Sequence, residues 1–229
     1  MSYASGTTDN SVSIKRYSHA KRFKVALRFI ARHDKILDYG AGDGYFLRLA
    51  ANKVGNPLSC YAYEPTILHE LRATLADLLP LSQTSAEFDR FEEFAFDKIF
   101  CLEVLEHLPD GEIQLALARF KKSLKRDGKI IISVPIETGI SGFLKNMFRL
   151  VFSQTHADTN FKNIVRSLFG LEVARPSGSY IPSHIGFNYR NLYRHFAEEG
   201  LSVERECFSP FPMFGAVLNS QIFFVLRVA

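Results

Sequence analysis

Asp38-Tyr39-Gly40-Ala41-Gly42-Asp43-Gly44 decides the fold of this chain. Before it, Lys35-Ile36-Leu37 has the apolar content of a buried strand end. After it, Tyr45-Phe46-Leu47-Arg48-Leu49-Ala50-Ala51 has the apolar spacing of a helix. Strand, glycine turn and helix together open a βαβ unit. Glycine is needed where a Cβ would block the tight turn and hold a ligand off the backbone. The N–H groups at the helix start then favour a carboxylate or a phosphate.

The spacing also selects the kind of cofactor. A dinucleotide fingerprint, Gly-x-Gly-x-x-Gly, would put its third glycine at position 45, where this chain has Tyr45. The third glycine comes one residue early, at Gly44. Asp38 precedes the first glycine by two residues, where a carboxylate repels a pyrophosphate but receives an ammonium group. The turn therefore suits a zwitterionic amino acid attached to a nucleoside, and a dehydrogenase is disfavoured.

The run from Lys35 to Phe46 closely resembles motif I of the class I S-adenosylmethionine-dependent methyltransferases. The resemblance implies that Gly40, Gly42 and Gly44 underlie the methionine end of the cofactor. It implies too that Asp38 orients the cofactor's amino group, often through water. An ordinary strand-to-helix turn with incidental glycines is the alternative. Leu58-Ser59-Cys60-Tyr61-Ala62-Tyr63-Glu64-Pro65 reads as a second strand ending in an acid, 26 residues after Asp38. Glu64 can accept bonds from both ribose hydroxyls, or be a solvated strand-end charge. Phe96 to Pro109 resembles the fourth-strand segment of the broad small-molecule subgroup, a short strand running into Glu106-His107. Cys101 in that segment counts with the cofactor-binding residues. Lys129 to Pro135, after an Asp127-Gly128 turn, supplies a fifth strand. The family commonly has Asp at the end of the third strand, to meet the adenine amino group. Here Ser85 is nearest that slot, with the Ala86 N–H beside it and Glu87 as a substitute.

The resemblance is good over residues 20–135 and looser beyond. It implies an α/β, Rossmann-like methyltransferase fold: a seven-stranded, mostly parallel sheet with an antiparallel edge and helices on both faces. The implied strand order is 3-2-1-4-5-7-6, with the ligand outside the strand carboxyl ends where the order reverses. One domain over 1–229 is expected, with 11–32 as an N-terminal helical cap. Residues 136–182 would be an insertion or lid that contributes to the acceptor site. In the cap, Tyr17, Phe23, Val25, Ala26, Phe29 and Ile30 make an apolar face. Arg22 there either meets the cofactor carboxylate or is a solvated surface charge. Leu201 to Glu206 and Ser220 to Val228 read as the last two strands.

Composition is consistent with this. A chain of 229 residues with 47% hydrophobic content builds one well-buried domain. The net charge of +4, without a long basic run, disfavours a nucleic-acid partner and leaves a small-molecule acceptor as the expected one. Trp is absent and Phe numbers 21, so Phe must supply much of the aromatic packing. Cys60, Cys101 and Cys207 are scattered, with no Cys-x-x-Cys pair, which argues for a reducing compartment and against a disulfide or zinc framework. No signal pattern and no run of 18 apolar residues is visible, so a cytoplasmic location is expected.

Ile140 to Phe152 carries an apolar face with Lys145 and Arg149 four apart. It reads as a lid or packed helix, in preference to a peripheral membrane helix, because two cations are few for a membrane surface. Gln154 to Asn160 and Arg175 to Pro182 read as loops, which carry specificity in such folds. His184 opens a segment that resembles the subgroup's His-containing turn before a helix ending at Gly200.

For the chemistry, alignment of acceptor and methyl group matters most, and a hydroxyl acceptor adds the need for a base or a metal. His107 and His184 are the candidate bases. A helix starting near Glu103 would place Glu103, Glu106 and His107 on one face. That set resembles the Glu-x-x-Glu-His element of ubiquinone-biosynthesis O-methyltransferases and of small-RNA 2′-O-methyltransferases. With His184 as a fourth ligand it could hold a divalent cation, although no metal is the expectation. The expected activity is S-adenosylmethionine-dependent O-methylation of a small molecule. Val134 to Gly139 with Phe143, Leu144, Lys145, Asn146 and Arg149 resembles bacterial relatives encoded near surface-polysaccharide genes, which suggests a sugar or lipid-linked acceptor. The alternatives are a non-catalytic cofactor-binding or interaction protein on the same fold, and an RNA methyltransferase.

Overall fold

A strand that must lie between helix layers is apolar on both faces, and β1 (Ile36–Tyr39) is buried along its whole length. The computed structural model describes residues 22–56, 59–91, 93, 95–137, 181 and 187–229. Tyr17, the 140–152 helix, the 154–160 loop and His184 lie outside these described residues.

After β1 come α2 (Tyr45–Val54), β2 (Cys60–Tyr63), α3 (Leu68–Leu75), β3 (Thr84–Ser85) and β4 (Phe96–Leu102). α4 (Asp110–Ser123) and β5 (Leu124–Pro135) follow, and then α5 (Leu192–Glu198), β6 (Leu201–Ser209) and β7 (Gln221–Val228). Residues 22–27 form α1. The sheet has seven strands in the order β3-β2-β1-β4-β5-β7-β6, as the resemblance implied. β1 pairs in parallel with β2 (Asp38 opposite Ala62) and with β4 (Asp38 opposite Phe100). β2 pairs in parallel with β3, with Tyr63 opposite Ser85, while β6 and β7 are antiparallel.

The chain divides into two compact units, one comprising residues through Leu102 with Arg119–Ile131, the other Glu103–Ala118 with Ile132–Ala229. In the first, Phe does the work that Trp is absent for. Phe96, Phe100 and Phe120 are fully buried, and Phe46 and Phe100 have ring centroids 4.9 Å apart. Tyr39 stacks on Tyr63 at 4.6 Å and meets the edge of Phe120 at 4.8 Å. In the second, Phe196, Phe223 and Phe224 are fully buried, with Phe196 and Phe224 5.3 Å apart. β6 exposes Glu204, Arg205 and Glu206 at the sheet edge and has a register shift between Val203 and Arg205. Charge and irregularity at an edge discourage pairing with another chain.

Two sequence expectations are corrected. The Asp127-Gly128 pair is not a turn before the fifth strand, because β5 runs continuously from Leu124 through it. Gly128 is needed there, since a Cβ would stand 2.7 Å from the Leu124 side chain. Nor does a helix begin near Glu103. Glu103 has φ 59, Leu105–His107 make a single 3-10 turn, and α4 starts only at Asp110. Pro109 is the reason: it forces the residue before it out of the helical region, and Leu108 is extended (φ -99, ψ 143).

Candidate cofactor cradle and acceptor-side residues

The glycine turn follows β1 in the first unit. Gly40, Gly42 and Gly44 all have positive φ (75°, 57° and 79°), which L side chains adopt only at a cost. They do different jobs. A Cβ on Gly44 would stand 2.8 Å from the side chains of Leu71 and Leu75, so this glycine lets α2 and α3 pack together. A Cβ on Gly42 would meet nothing within 4 Å, so its face is open to a ligand. The Gly40 and Ala41 N–H groups both donate to the Tyr63 carbonyl (2.8 and 3.2 Å), and this ties the turn to the end of β2.

Two carboxylates sit at this point. Glu64 is buried, and its Oε2 accepts the Gly42 N–H at 2.9 Å. Its Oε1 accepts the N–H groups of Thr66 (2.8 Å) and Ile67 (3.2 Å). Three of its roughly four acceptor positions are therefore taken by backbone. Glu64 is a keystone of the turn, and the solvated strand-end alternative is excluded. Asp38 is 3% exposed. Burial first, and then the Glu64 carboxylate, push the Asp38 carboxyl up to about 8. A buried acid held in that state is neutral near pH 7 and gains most from an incoming cation.

Ser85 ends β3, at the strand position that sequence assigned to adenine recognition. Its Oγ accepts the Glu87 N–H at 3.0 Å and lies 2.9 Å from the Glu87 carbonyl, so it stabilises its own turn. Leu68, Arg72, Ser85, Ala86, Glu87 and Arg90 line an open recess here. Sequence reasoning missed Arg72 and Arg90. The signal available was the i, i+4 spacing of Leu68 and Arg72 on α3. Arg72 is fixed by bonds to the Thr84 hydroxyl and carbonyl, both at 2.9 Å, and Arg90 pairs with Glu87 at 3.1 Å.

Arg22 is buried, not solvated, and its guanidinium lies 5.1 Å from the Phe23 ring centroid. Phe23 in turn meets Tyr45 (5.5 Å) and Phe46 (5.8 Å), which seats the described part of the cap against the start of α2. Cys101 is fully buried in β4, so any ligand contact there falls to its backbone. The Cys60 thiol is likewise buried and pushed up to about 12 by burial and by Asp38, so it is not a nucleophile.

In the second unit, the Glu103 N–H donates to the Ser133 carbonyl at 2.9 Å, and the Ser133 hydroxyl donates to Glu103 Oε1 at 3.1 Å. A double tie of this kind holds a non-glycine residue in the left-handed region. Glu106 is completely buried. His107 is half-buried, and its Nδ1 lies 2.8 Å from the Ile181 carbonyl oxygen, while the Ile181 N–H donates to the His107 carbonyl at 2.8 Å. The expected helical face of Glu103, Glu106 and His107 does not exist. Among the described residues no group of three His, Cys, Asp or Glu side chains is placed to hold a metal ion.

A family model described as a methyltransferase domain matches residues 14–205. No curated protein matches the chain. Among solved structures, magnesium protoporphyrin IX methyltransferase from Synechocystis PCC 6803, with bound SAH, is 13% identical with a TM-score of 0.61. That match covers 98% of this chain and 90% of the other. The Burkholderia thailandensis 1,6-didemethyltoxoflavin-N1-methyltransferase, with its substrate and S-adenosylhomocysteine bound, is 14% identical over 96% of this chain and 83% of that one, with a TM-score of 0.59. The pyocyanin biosynthetic protein PhzM is 14% identical with a TM-score of 0.58, and the chain, matched over 92% of its own length, spans about half (55%) of it. At such identities these structures show a shared fold.

Proposed function

The chain belongs to the methyltransferase domain family, which makes it an S-adenosylmethionine-dependent methyltransferase, and we propose that its acceptor atom is an oxygen of a small molecule. The observation that carries the cofactor reading is Asp38: a buried carboxyl, raised to about 8, beside a glycine whose open face admits a ligand. These residues fit the cofactor. Asp38 would take its ammonium group, the Gly42 face its methionine end, Glu64 its ribose hydroxyls, and the Ser85–Glu87 turn with the recess around Arg72 its adenine. The cofactor supplies an electrophilic methyl group on a sulfonium whose departure needs no proton.

The remaining tasks belong to the chain. A hydroxyl acceptor loses a proton, and His107 is the group we assign to receive it. The Ile181 carbonyl can only accept, so in neutral His107 the proton sits on Nδ1 and Nε2 bears the lone pair. His184 remains a second candidate base. The Glu-x-x-Glu-His pattern at 103–107 supports an oxygen acceptor through its likeness to ubiquinone-biosynthesis O-methyltransferases. A sugar or lipid-linked intermediate is the acceptor class we favour. Buried free thiols at Cys60 and Cys101 suit a reducing compartment, and we place the protein in the cytoplasm.

Calorimetric titration with S-adenosylmethionine and S-adenosylhomocysteine tests the cofactor half, beside Gly42→Arg, whose side chain would fill the open face. Micromolar binding that the variant loses is the expected result. A folded, cofactor-free wild type that binds neither would overturn the assignment. The acceptor half is tested by an acceptor screen with and without chelator, in which His107→Gln should depress turnover and leave cofactor affinity unchanged.

A further inference from the structure

The connection between β6 and β7 is built in a way that the methyl-transfer reading does not use. From Cys207 to Leu226 the chain has no charged residue. Within that stretch Met213 is 92% exposed, Phe214 52%, Val217 50% and Leu218 49%, with Phe211 at 50% beside them. Other large apolar side chains exposed among the described residues, such as Tyr45, Leu81 and Leu115, stand singly on separate elements. Scattered residues of that kind need no explanation, whereas a contiguous patch does.

The loop is also ordered from within. Asn219 is completely buried and acts as its internal clamp. Its Oδ1 accepts the Phe211 N–H at 2.5 Å, and its Nδ2 donates to the Phe211 and Gly215 carbonyls, both at 2.6 Å. The Phe214, Gly215 and Val217 N–H groups donate to the Phe211, Pro212 and Phe214 carbonyls. Pro210 and Pro212 have no N–H to satisfy. The result is a loop that turns apolar side chains outward while its own backbone meets much of its hydrogen-bonding need.

We propose that the connection between Ser209 and Gln221 docks on a lipid bilayer surface, with Met213, Phe214, Val217 and Leu218 entering the acyl region. Three observations favour a bilayer over a protein partner. Hydrocarbon offers no hydrogen bonds, so a segment entering it must satisfy its backbone internally, as this one largely does. The patch offers roughly 500 Å², short of the ~800 Å² per partner that a stable protein interface buries. A net charge of +4 adds a general attraction to anionic headgroups. No helix among the described residues is long and apolar enough to cross a membrane, so the contact proposed is peripheral.

The absence of Trp makes the test direct. Met213→Trp places a single reporter at the most exposed position of the loop. The variant is titrated with vesicles of phosphatidylcholine and phosphatidylglycerol in equal parts. A blue-shifted emission that brominated acyl chains quench is expected, with co-sedimentation of the wild type. Phe214→Ser with Leu218→Ser should lower vesicle affinity at least ~10-fold while circular dichroism stays unchanged. Emission that does not move at lipid excess, with no co-sedimentation, would overturn the proposal. A blue shift that grows with protein concentration without lipid would overturn it too, in favour of a second copy of this chain. No methyl acceptor enters the assay, so its failure would leave the methyltransferase assignment standing.

Discussion

At the scale of the residue, Asp38 is where fold and function oppose each other. Its carboxyl is raised from 3.8 to about 8 by burial and by Glu64. A folded value above the unfolded one means that the unfolded chain releases a proton which the folded chain keeps. The stability Asp38 contributes is therefore fully present below about 3.8 and is lost as pH rises through about 8. Asp38→Asn cannot ionise, so its advantage in Tm over the wild type should widen between roughly pH 5 and pH 8, measured by calorimetric melting in a pH series. Binding has the opposite sign. An ammonium group favours the carboxylate, so affinity for S-adenosylhomocysteine should rise by up to about tenfold per unit from roughly pH 6 to pH 8. In Asp38→Asn that slope should vanish and affinity near pH 8 should fall about 10- to 100-fold, the loss expected for a charged hydrogen bond. A wild-type titration without a pH slope would show that Asp38 does not meet the ammonium group. Glu64→Ala should weaken binding as well, because it also frees the Gly42 N–H from its 2.9 Å bond.

At the scale of the element, the glycine turn separates what packs from what binds. Gly44→Ala drives a Cβ to 2.8 Å from Leu71 and Leu75, between α2 and α3, and should destabilise the protein by about 1–3 kcal/mol. Gly42→Ala meets no atom within 4 Å and should cost only about 1–2 kcal/mol of left-handed strain. Cofactor affinity should rank the two the other way, with the larger loss at Gly42. Denaturant melts paired with calorimetry check this, and equal losses of affinity would mean that the Gly42 face is not the ligand's. The same elements show what a sequence discloses. β1, the turn and α2 were legible because local signals and long-range packing agree there, and Tyr63 and Ser85 sit opposite each other as the strand ends implied. The segment after β4 was misread because the i, i+3, i+4 spacing of Glu103, Glu106 and His107 was weighed without Pro109. The passage of β5 through Asp127-Gly128 was illegible, because sheet pairing overrode a dipeptide that forms turns on its own. The tie between His107 and Ile181 spans 74 positions, and no local pattern encodes it.

At the scale of the whole molecule, the glycine turn, Asp38 and Glu64 belong to one compact unit, while Glu103, Glu106 and His107 belong to the other. α4 and β5 each begin in one unit and end in the other, α4 passing over after Ala118 and β5 after Ile131. An element cannot melt in half without leaving backbone groups unpaired, so shared elements couple the units' unfolding. Cofactor product binds the native state only, and at a hundredfold excess over Kd it adds about 2.7 kcal/mol of stability. For a chain of this length each kcal/mol moves Tm by about 2–4 °C. S-adenosylhomocysteine should therefore raise Tm by roughly 5–11 °C in a single transition, although every residue assigned to hold it lies in the first unit. Scanning calorimetry with and without the ligand decides this. Two transitions, of which the ligand moves one, would mean that the shared helix and strand do not couple the units, and that cofactor binding leaves the stability of the His107 segment untouched.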